Sequence, residues 1–340
     1  MQQFIIEANE AGQRLDKFLH KYLKEAPNSF LYKMLRKKNI TLNKKKADGK
    51  ELLNQGDTIQ FFFSDETFAK FRGVQASDLT GKNRKQCTVS TKEYEKAYDT
   101  LKGIQVIYEN EHVLFLNKPA GILSQKASPQ DLSLNEWLIG YLLQKKRLTP
   151  TQLETFKPSV CNRLDRNTSG LIICGISLAG SQKMSALLKE RNVHKFYRTF
   201  VKGIIEQPAH IKGYLKKDEK TNKVTLKTVL NVTDTGFEAV ETKYVPISIH
   251  NGYTYLEVEL ITGKTHQIRA HLASEGHPLL GDAKYGDRTW NKSFAKNNLP
   301  SWQLLHSYRL ELPVLDSPFE DISKQTFFAE EPSFYTTLKK

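Results

Sequence analysis

Hydrophobic positions along this chain form short blocks whose spacing switches between helix-like and strand-like. A short strand at 4–6 and a turn at Ala11 and Gly12 lead into Leu15, Phe18, Leu19, Tyr22 and Leu23. That i, i+3, i+4, i+7, i+8 spacing predicts an amphipathic helix. A second helix carries Phe30, Leu31, Met34 and Leu35, with Ser29 as its expected N-cap. Alternation then predicts strands at 40–43 and 58–63, with a turn at Lys44, Lys45 and Lys46. Residues 64–103 are polar and hold no sustained period beyond a short helical pattern at 92–101, so they read as a linker.

Beyond 103 strand patterns dominate, at 104–108, 113–117, 195–201, 211–215, 224–230, 238–245, 253–260 and 304–310. Leu134, Trp137, Leu138, Tyr141 and Leu142 have helical spacing, and Ser133 with Glu136 forms a capping-box pattern in front of them. The apolar run 171–174 between two glycines predicts a buried strand, followed by a helix at 179–191. Thr265 is the expected cap of a helix that Gly276 ends, and the tail past Pro332 is expected to fray. The domains drawn from this are a small first domain 1–63, a linker 64–103, a second domain 104–335 and a tail 336–340.

Composition narrows the class. A chain of 340 residues accommodates two domains, and 39% hydrophobic content with a mean hydropathy of −0.52 describes a soluble globular protein. No apolar run approaches the ~20 residues of a membrane span, and the first ten residues lack a secretory pattern. Three cysteines at 87, 161 and 174 have neither metal-ligand nor disulfide-framework spacing, which fits a cytoplasmic setting. A net charge of +14 points to a polyanionic partner. Lys33, Arg36, Lys37 and Lys38 on the second helix, with Lys44 and Lys45 in the hairpin, would form one positive face suited to phosphates.

The chemistry concentrates at 163–171, R-L-D-R-N-T-S-G-L. Asp165 stands where the chain enters the buried strand, between Arg163 and Arg166, whose charges favour an ionised carboxylate able to act as nucleophile or base. Lys118 sits in a rigid K-P-A-G turn, a candidate rim. Tyr197 on its strand could offer a flat surface to a base. Arg269 can project from the 265–276 helix toward a carboxylate. His266 and His271 lie on different faces of that helix, which argues against a metal site.

The string R-L-D-x-x-T-S-G-L resembles the catalytic motif of the RluA-type pseudouridine synthases, whose aspartate is essential. N-K-P-A-G at 117–121, K-x-Y-x-x-x-V-x-G at 195–203, T-G-K-T-H-Q-I-R-x-H at 262–271 and H-P-L-L-G-D-x-x-Y-G at 277–286 resemble the family's other motifs in the same order. R-L-D-K-F-L at 14–19, the hairpin R-K-K-x-I-x-L-N and G-D-x-I resemble a small RNA-binding domain shared by a ribosomal protein and several RNA-modifying enzymes. Asn162 stands where the family usually has His, Lys264 where it more often has Arg, and Gln125 follows where it commonly has a His a few residues after the K-P-x-G turn.

The resemblance implies an α+β fold: a central, largely antiparallel mixed sheet flanked by helices and an RNA-binding cleft, behind a small N-terminal α/β RNA-binding domain. It implies conversion of uridine to pseudouridine without cofactor or metal, with Asp165 catalytic, Arg269 paired to it and Tyr197 against the base. Arg163, Arg166, Lys118 and Lys264 would hold RNA around the site. The partner implied is ribosomal RNA of the large subunit, free or within an assembling particle, bound by a monomer with no membrane involved. Two other readings remain at this stage: a ribosome-assembly factor that binds RNA without catalysis, and a nucleic-acid glycosidase, for which only one placed acid can be found where most such enzymes use a pair.

Overall fold

A computed structural model describes residues 2–74, 89–294 and 299–339. The basic patch K-x-x-K-Q-C with Cys87, and Gly81, lie outside the described residues. The N-terminal part comprises β1 (Gln2–Ile5), α1 (Leu15–Tyr22), α2 (Asn28–Arg36), β2 (Ile40–Leu42), β3 (Lys45–Lys46), β4 (Thr58–Phe61) and α3 (Asp65–Arg72). Its sheet runs β1-β4-β2-β3, and Phe18, Leu19, Leu31, Leu35, Ile59 and Phe61 pack into a core of their own.

Three local expectations change here. Pro27, not Ser29, occupies the N-cap of α2, where its fixed φ of −65° suits helix entry and no side chain is needed to cap. The hairpin turns at Asn43 and Lys44, both at positive φ (51° and 63°), so Lys45 and Lys46 belong to the returning strand rather than the turn. The stretch read as a linker is helical at both ends of its described part. Ser64 caps α3 by accepting from the Thr67 N–H, and Phe68 buries in the N-terminal core. At the other end α4 (Lys92–Thr100) packs Tyr94 and Ala97 onto the second core. The helical pattern at 92–101 is α4, whereas α3, with Phe68 and Ala69 as its buried residues, is too sparse to register as a period.

The larger part continues with β5 (Gln105–Glu109), β6 (Val113–Lys118), α5 (Leu134–Gln144), β7 (Ser159–Val160), β8 (Ser169–Gly175), α6 (Leu178–Lys189), β9 (His194–Lys202) and β10 (Ala209–Asp218). Then come β11 (Lys223–Lys227), β12 (Glu238–His250), β13 (Tyr253–Leu260), α7 (Gln267–Ser274), α8 (Arg288–Ser293), β14 (Leu305–Glu311), β15 (Thr326–Phe328) and α9 (Phe334–Leu338). Together the strands form one mixed sheet, β11-β10-β12-β13-β9-β14-β8-β6-β5, with β15 added to β14 and β7 to β8. Among the described residues the β14–β8 pairing is parallel and the other ladders are antiparallel.

The apolar run of β8 is buried at every position because both faces are covered. Ile172 and Cys174 meet Trp137 and Leu138 of α5, while Leu171 and Ile173 meet Met184 and Leu187 of α6. The Ser133–Glu136 capping box that starts α5 is complete. The expected frayed tail is instead α9, whose Tyr335 and Leu338 are buried against Phe200, Tyr255 and Leu304. The two parts touch where Thr155 donates to Glu10 (2.5 Å) and Arg72 pairs with Glu154.

Candidate active site

The loop between β7 and β8 holds Asp165, and backbone contacts on both sides fix it. Ser124 Oγ donates to the Leu164 carbonyl (2.8 Å) and accepts from the Leu164 N–H (3.0 Å). The Arg166 carbonyl accepts from the Gly121 N–H (2.9 Å), and the Thr168 N–H closes the turn onto the Asp165 carbonyl (3.0 Å). Asn162 is spent on structure, its Oδ1 accepting from the Ile173 N–H at 2.7 Å. Gly170 follows at φ 108°, and a Cβ there would lie 2.1 Å from the Ser307 carbonyl oxygen. Only glycine lets β14 come that close.

Lys118 corrects the sequence reading most clearly. Expected on the rim as an RNA contact, it is fully buried, and its Nζ donates to the carbonyls of Pro119 (2.9 Å), Ile122 (2.9 Å) and Arg166 (3.1 Å). Burial pulls its ammonium down to about 7, and the Asp165 charge acts against that pull. The lysine ties the K-P-A-G turn to the Asp165 loop from beneath.

Arg269 reaches the same loop from α7. Its Nη1 donates to Asp165 Oδ2 at 2.8 Å, while Nε and Nη2 grip both oxygens of Asp282 at 2.7 and 2.9 Å. Burial opposes the guanidinium charge, but the hydrogen bonds and charge of Asp282, then of Asp165, outweigh it and raise its pKa. Asp282 is wholly buried, and its Oδ1 also accepts the N–H groups of Lys284 and Tyr285. Burial would lift that carboxyl, yet the Arg269 hydrogen bonds hold it below the usual range. A Cβ on Gly281, at φ 79°, would meet the Trp302 carbonyl at 2.1 Å, so glycine sets the approach of Asp282.

The helix does not begin at Thr265 as expected. His266 occupies the N-cap in the left-handed region, φ 54°, without a side-chain cap. Its ring faces the site instead, Nε2 3.8 Å from Asp165 Oδ2 and Nδ1 3.0 Å from the Tyr285 hydroxyl.

The remaining sequence candidates separate. Tyr197 is buried in the core beside Val201, Leu256 and Ile268, and burial raises its phenol pKa, with the Asp165 charge adding to the shift. Arg163 and Arg166 are exposed on the Asp165 loop, the latter donating to the Gly121 carbonyl at 3.1 Å. Lys264 pairs with Glu238 at 2.6 Å. Lys33, Arg36, Lys37, Lys38, Lys44 and Lys45 are all exposed on the N-terminal part. Among the described residues no group of three or more His, Cys, Asp or Glu side chains is arranged to hold a metal.

Sequence reasoning assigned no role to Asp282 or Tyr285 and weighed His266 only as a metal ligand. Their signal lay in H-P-L-L-G-D-x-x-Y-G, which reads as a loop until the fold brings it under Arg269.

Comparison with known proteins decides the family. Residues 112–274, which include Asp165, Tyr197 and Arg269, match the family described as RNA pseudouridylate synthase. Ribosomal large subunit pseudouridine synthase C of Vibrio vulnificus (strain CMCP6) is 27% identical over 318 residues, 93% of this chain and 90% of that protein. The chain is a pseudouridine synthase of the RluA family. The synthase is an isomerase whose substrate is RNA. The protein of the same name from Escherichia coli (strain K12) is 27% identical over 296 residues, 86% of this chain and 82% of that one. In fold the synthase is similar to a structure titled Human RNA Pseudouridylate Synthase Domain Containing 4, with a TM-score of 0.56 and 22% identity, covering 73% of this chain and 95% of that one. No helix among the described residues is long and apolar enough to cross a membrane.

Proposed function

We propose that this synthase isomerises uridine in large-subunit ribosomal RNA, with Asp165 as the group that opens the glycosidic bond. The N1–C1′ bond breaks, the freed base turns, C5 bonds to C1′, the C5 proton leaves and N1 takes up a proton. Atoms balance without an oxidant, reductant or cofactor. The target uridine leaves its stack, at a cost of about a few kcal/mol, so that its ribose can meet Asp165. Arg269 orients the carboxylate, and Tyr197 supports the base from the sheet side.

Arg163, Arg166 and Lys264 hold flanking phosphates in this reading. Lys33, Arg36, Lys37, Lys38, Lys44 and Lys45 make the N-terminal part an independent grip on RNA. The observation that supports the assignment of Asp165 most is its 2.8 Å contact with an arginine that is itself anchored twice by buried Asp282. Such a cation cannot swing away, so it holds the carboxylate in one pose for the reaction. The names of the relatives support the substrate class. The reading takes the enzyme to be a cytoplasmic monomer acting on free ribosomal RNA or on an assembling particle.

The test is tritium release from ribosomal RNA labelled at uridine C5, using wild type and Asp165→Ala with RNA binding measured for both. Release by wild type alone, with binding intact in the variant, is expected. If both bind and neither releases tritium from free RNA or from assembly intermediates, the protein is a binding factor instead.

A further inference from the structure

His266 is the group beside Asp165 to which neither the family resemblance nor the proposed function gives a task. Its backbone lies in the left-handed region at φ 54°, which turns the ring toward the site rather than along the helix. Its ring is fixed from behind. The Val224 N–H donates to the Tyr285 hydroxyl oxygen at 2.9 Å, which leaves the hydroxyl proton free to point at His266 Nδ1, 3.0 Å away. An Nδ1 that accepts puts the ring proton of a neutral imidazole on Nε2. Nε2 faces Asp165 Oδ2 at 3.8 Å, the oxygen that also takes the Arg269 hydrogen bond.

We propose that His266 is a positioning residue for Asp165. Held by Tyr285 with its proton on Nε2, it closes on Oδ2 together with Arg269 and commits Oδ1 to the substrate. Oδ1 accepts no hydrogen bond among the described residues, and the Asp165 side chain keeps 26% of its surface exposed. The 3.8 Å separation is one that shortens when RNA fills the site, as hydrogen bonds in unliganded active sites commonly do. Arg269, Asp282, Lys284 and Asp165 are the charged groups acting on the ring; burial leads in lowering its pKa, with Asp165 opposing, so the ring serves as a neutral donor. The inference rests on Asp165 being the catalytic group.

Single-turnover pseudouridine formation separates the possibilities. His266→Phe removes the donor and keeps a ring; His266→Gln returns an N–H near the Nε2 position. His266→Phe is expected to lower the rate at saturating RNA by roughly ten- to a hundredfold, the range for a hydrogen bond to a charged acceptor, with the RNA concentration dependence and melting temperature little changed. His266→Gln should recover most of the rate. Tyr285→Phe releases the ring without touching the His266 backbone, should cost about three- to tenfold, and should add nothing to His266→Phe. A rate for His266→Phe within twofold of wild type overturns the proposal while Asp165→Asn remains inactive. So does equal impairment of the Phe and Gln variants, or additive losses in the double variant. If wild type forms no pseudouridine, or Asp165→Asn retains full rate, the proposed function fails and takes this inference with it.

Discussion

Lys118→Met asks how far a buried cation organises the loop that carries Asp165. Methionine keeps an unbranched side chain one heavy atom shorter but donates to none of the three carbonyls, those of Pro119, Ile122 and Arg166. The Arg166 carbonyl keeps the Gly121 N–H, so two acceptors are left unpaired in the interior, at about 1–3 kcal/mol each, or about 4 kcal/mol at mid-range. Removing the charge works the other way. A fall from 10.5 to about 7 on burial corresponds to about 5 kcal/mol at ~1.4 kcal/mol per unit. The two effects nearly cancel, so the variant should lie within about 1 kcal/mol of wild type at pH 7. The sign of the pH dependence follows from the direction of the shift. The folded value lies below the unfolded one, so between pH 7 and about 10 the unfolded chain holds a proton that the folded chain has released. Wild type therefore gains stability as pH rises through that window, and the variant lacks this contribution. Urea denaturation at pH 7, 8 and 9 should show wild type gaining stability relative to the variant at each step. Untying the Arg166 carbonyl also loosens Asp165, and a displacement near 1 Å is enough to lower the single-turnover rate about a hundredfold. A wild-type stability that stays flat or falls relative to the variant as pH rises, or a variant as active as wild type, would refute the reasoning.

Other residues make independent tests. Asp282→Asn strands the Arg269 guanidinium in the interior and should cost about 3–5 kcal/mol in urea denaturation, with activity falling further than stability alone explains. Gly170→Ala drives a methyl group into the Ser307 carbonyl at a backbone angle reserved for glycine, so little folded protein should be recovered by size exclusion and circular dichroism. Tyr335→Ala empties the site of a fully buried ring against Phe200 and Tyr255 and should cost about 3–5 kcal/mol; a variant as stable as wild type would mean α9 is not docked. Changing Lys37, Lys38, Lys44 and Lys45 together to Gln should weaken RNA binding and reduce the salt slope by about 3, with the rate at saturating RNA preserved.

What the sequence discloses and what it conceals divides along a physical line. The two-sided burial of β8 follows from four consecutive apolar residues between glycines, because a strand of that composition is stable only when covered on both faces. The α5 start is legible because a capping box is local, both partners lying within three residues. Lys118 is illegible for the opposite reason. Beside a proline and a glycine its composition says exposed turn, and what makes its burial tolerable is three carbonyls, two from the turn itself folding back and one from Arg166, 48 residues on. Short α9 escaped notice because its apolar partners on β9 and β13 are remote in sequence.

Asp165 and Arg269 stand 104 residues apart, and helical spacing could say only that Arg269 has a face from which to reach an acid. What holds that arginine still is Asp282, thirteen residues on, an aspartate in a glycine turn with nothing local to distinguish it. A guanidinium has two edges, and a carboxylate that must stay reactive can occupy only one without being neutralised by full pairing. Giving the wider grip to buried Asp282 leaves Asp165 a single contact on Oδ2. The site thus separates the task of fixing the cation from the task of chemistry. In the proposed mechanism that separation needs the second acid to be buried, because an exposed carboxylate would hold the guanidinium less firmly than Asp282 does with its two contacts and two backbone N–H groups.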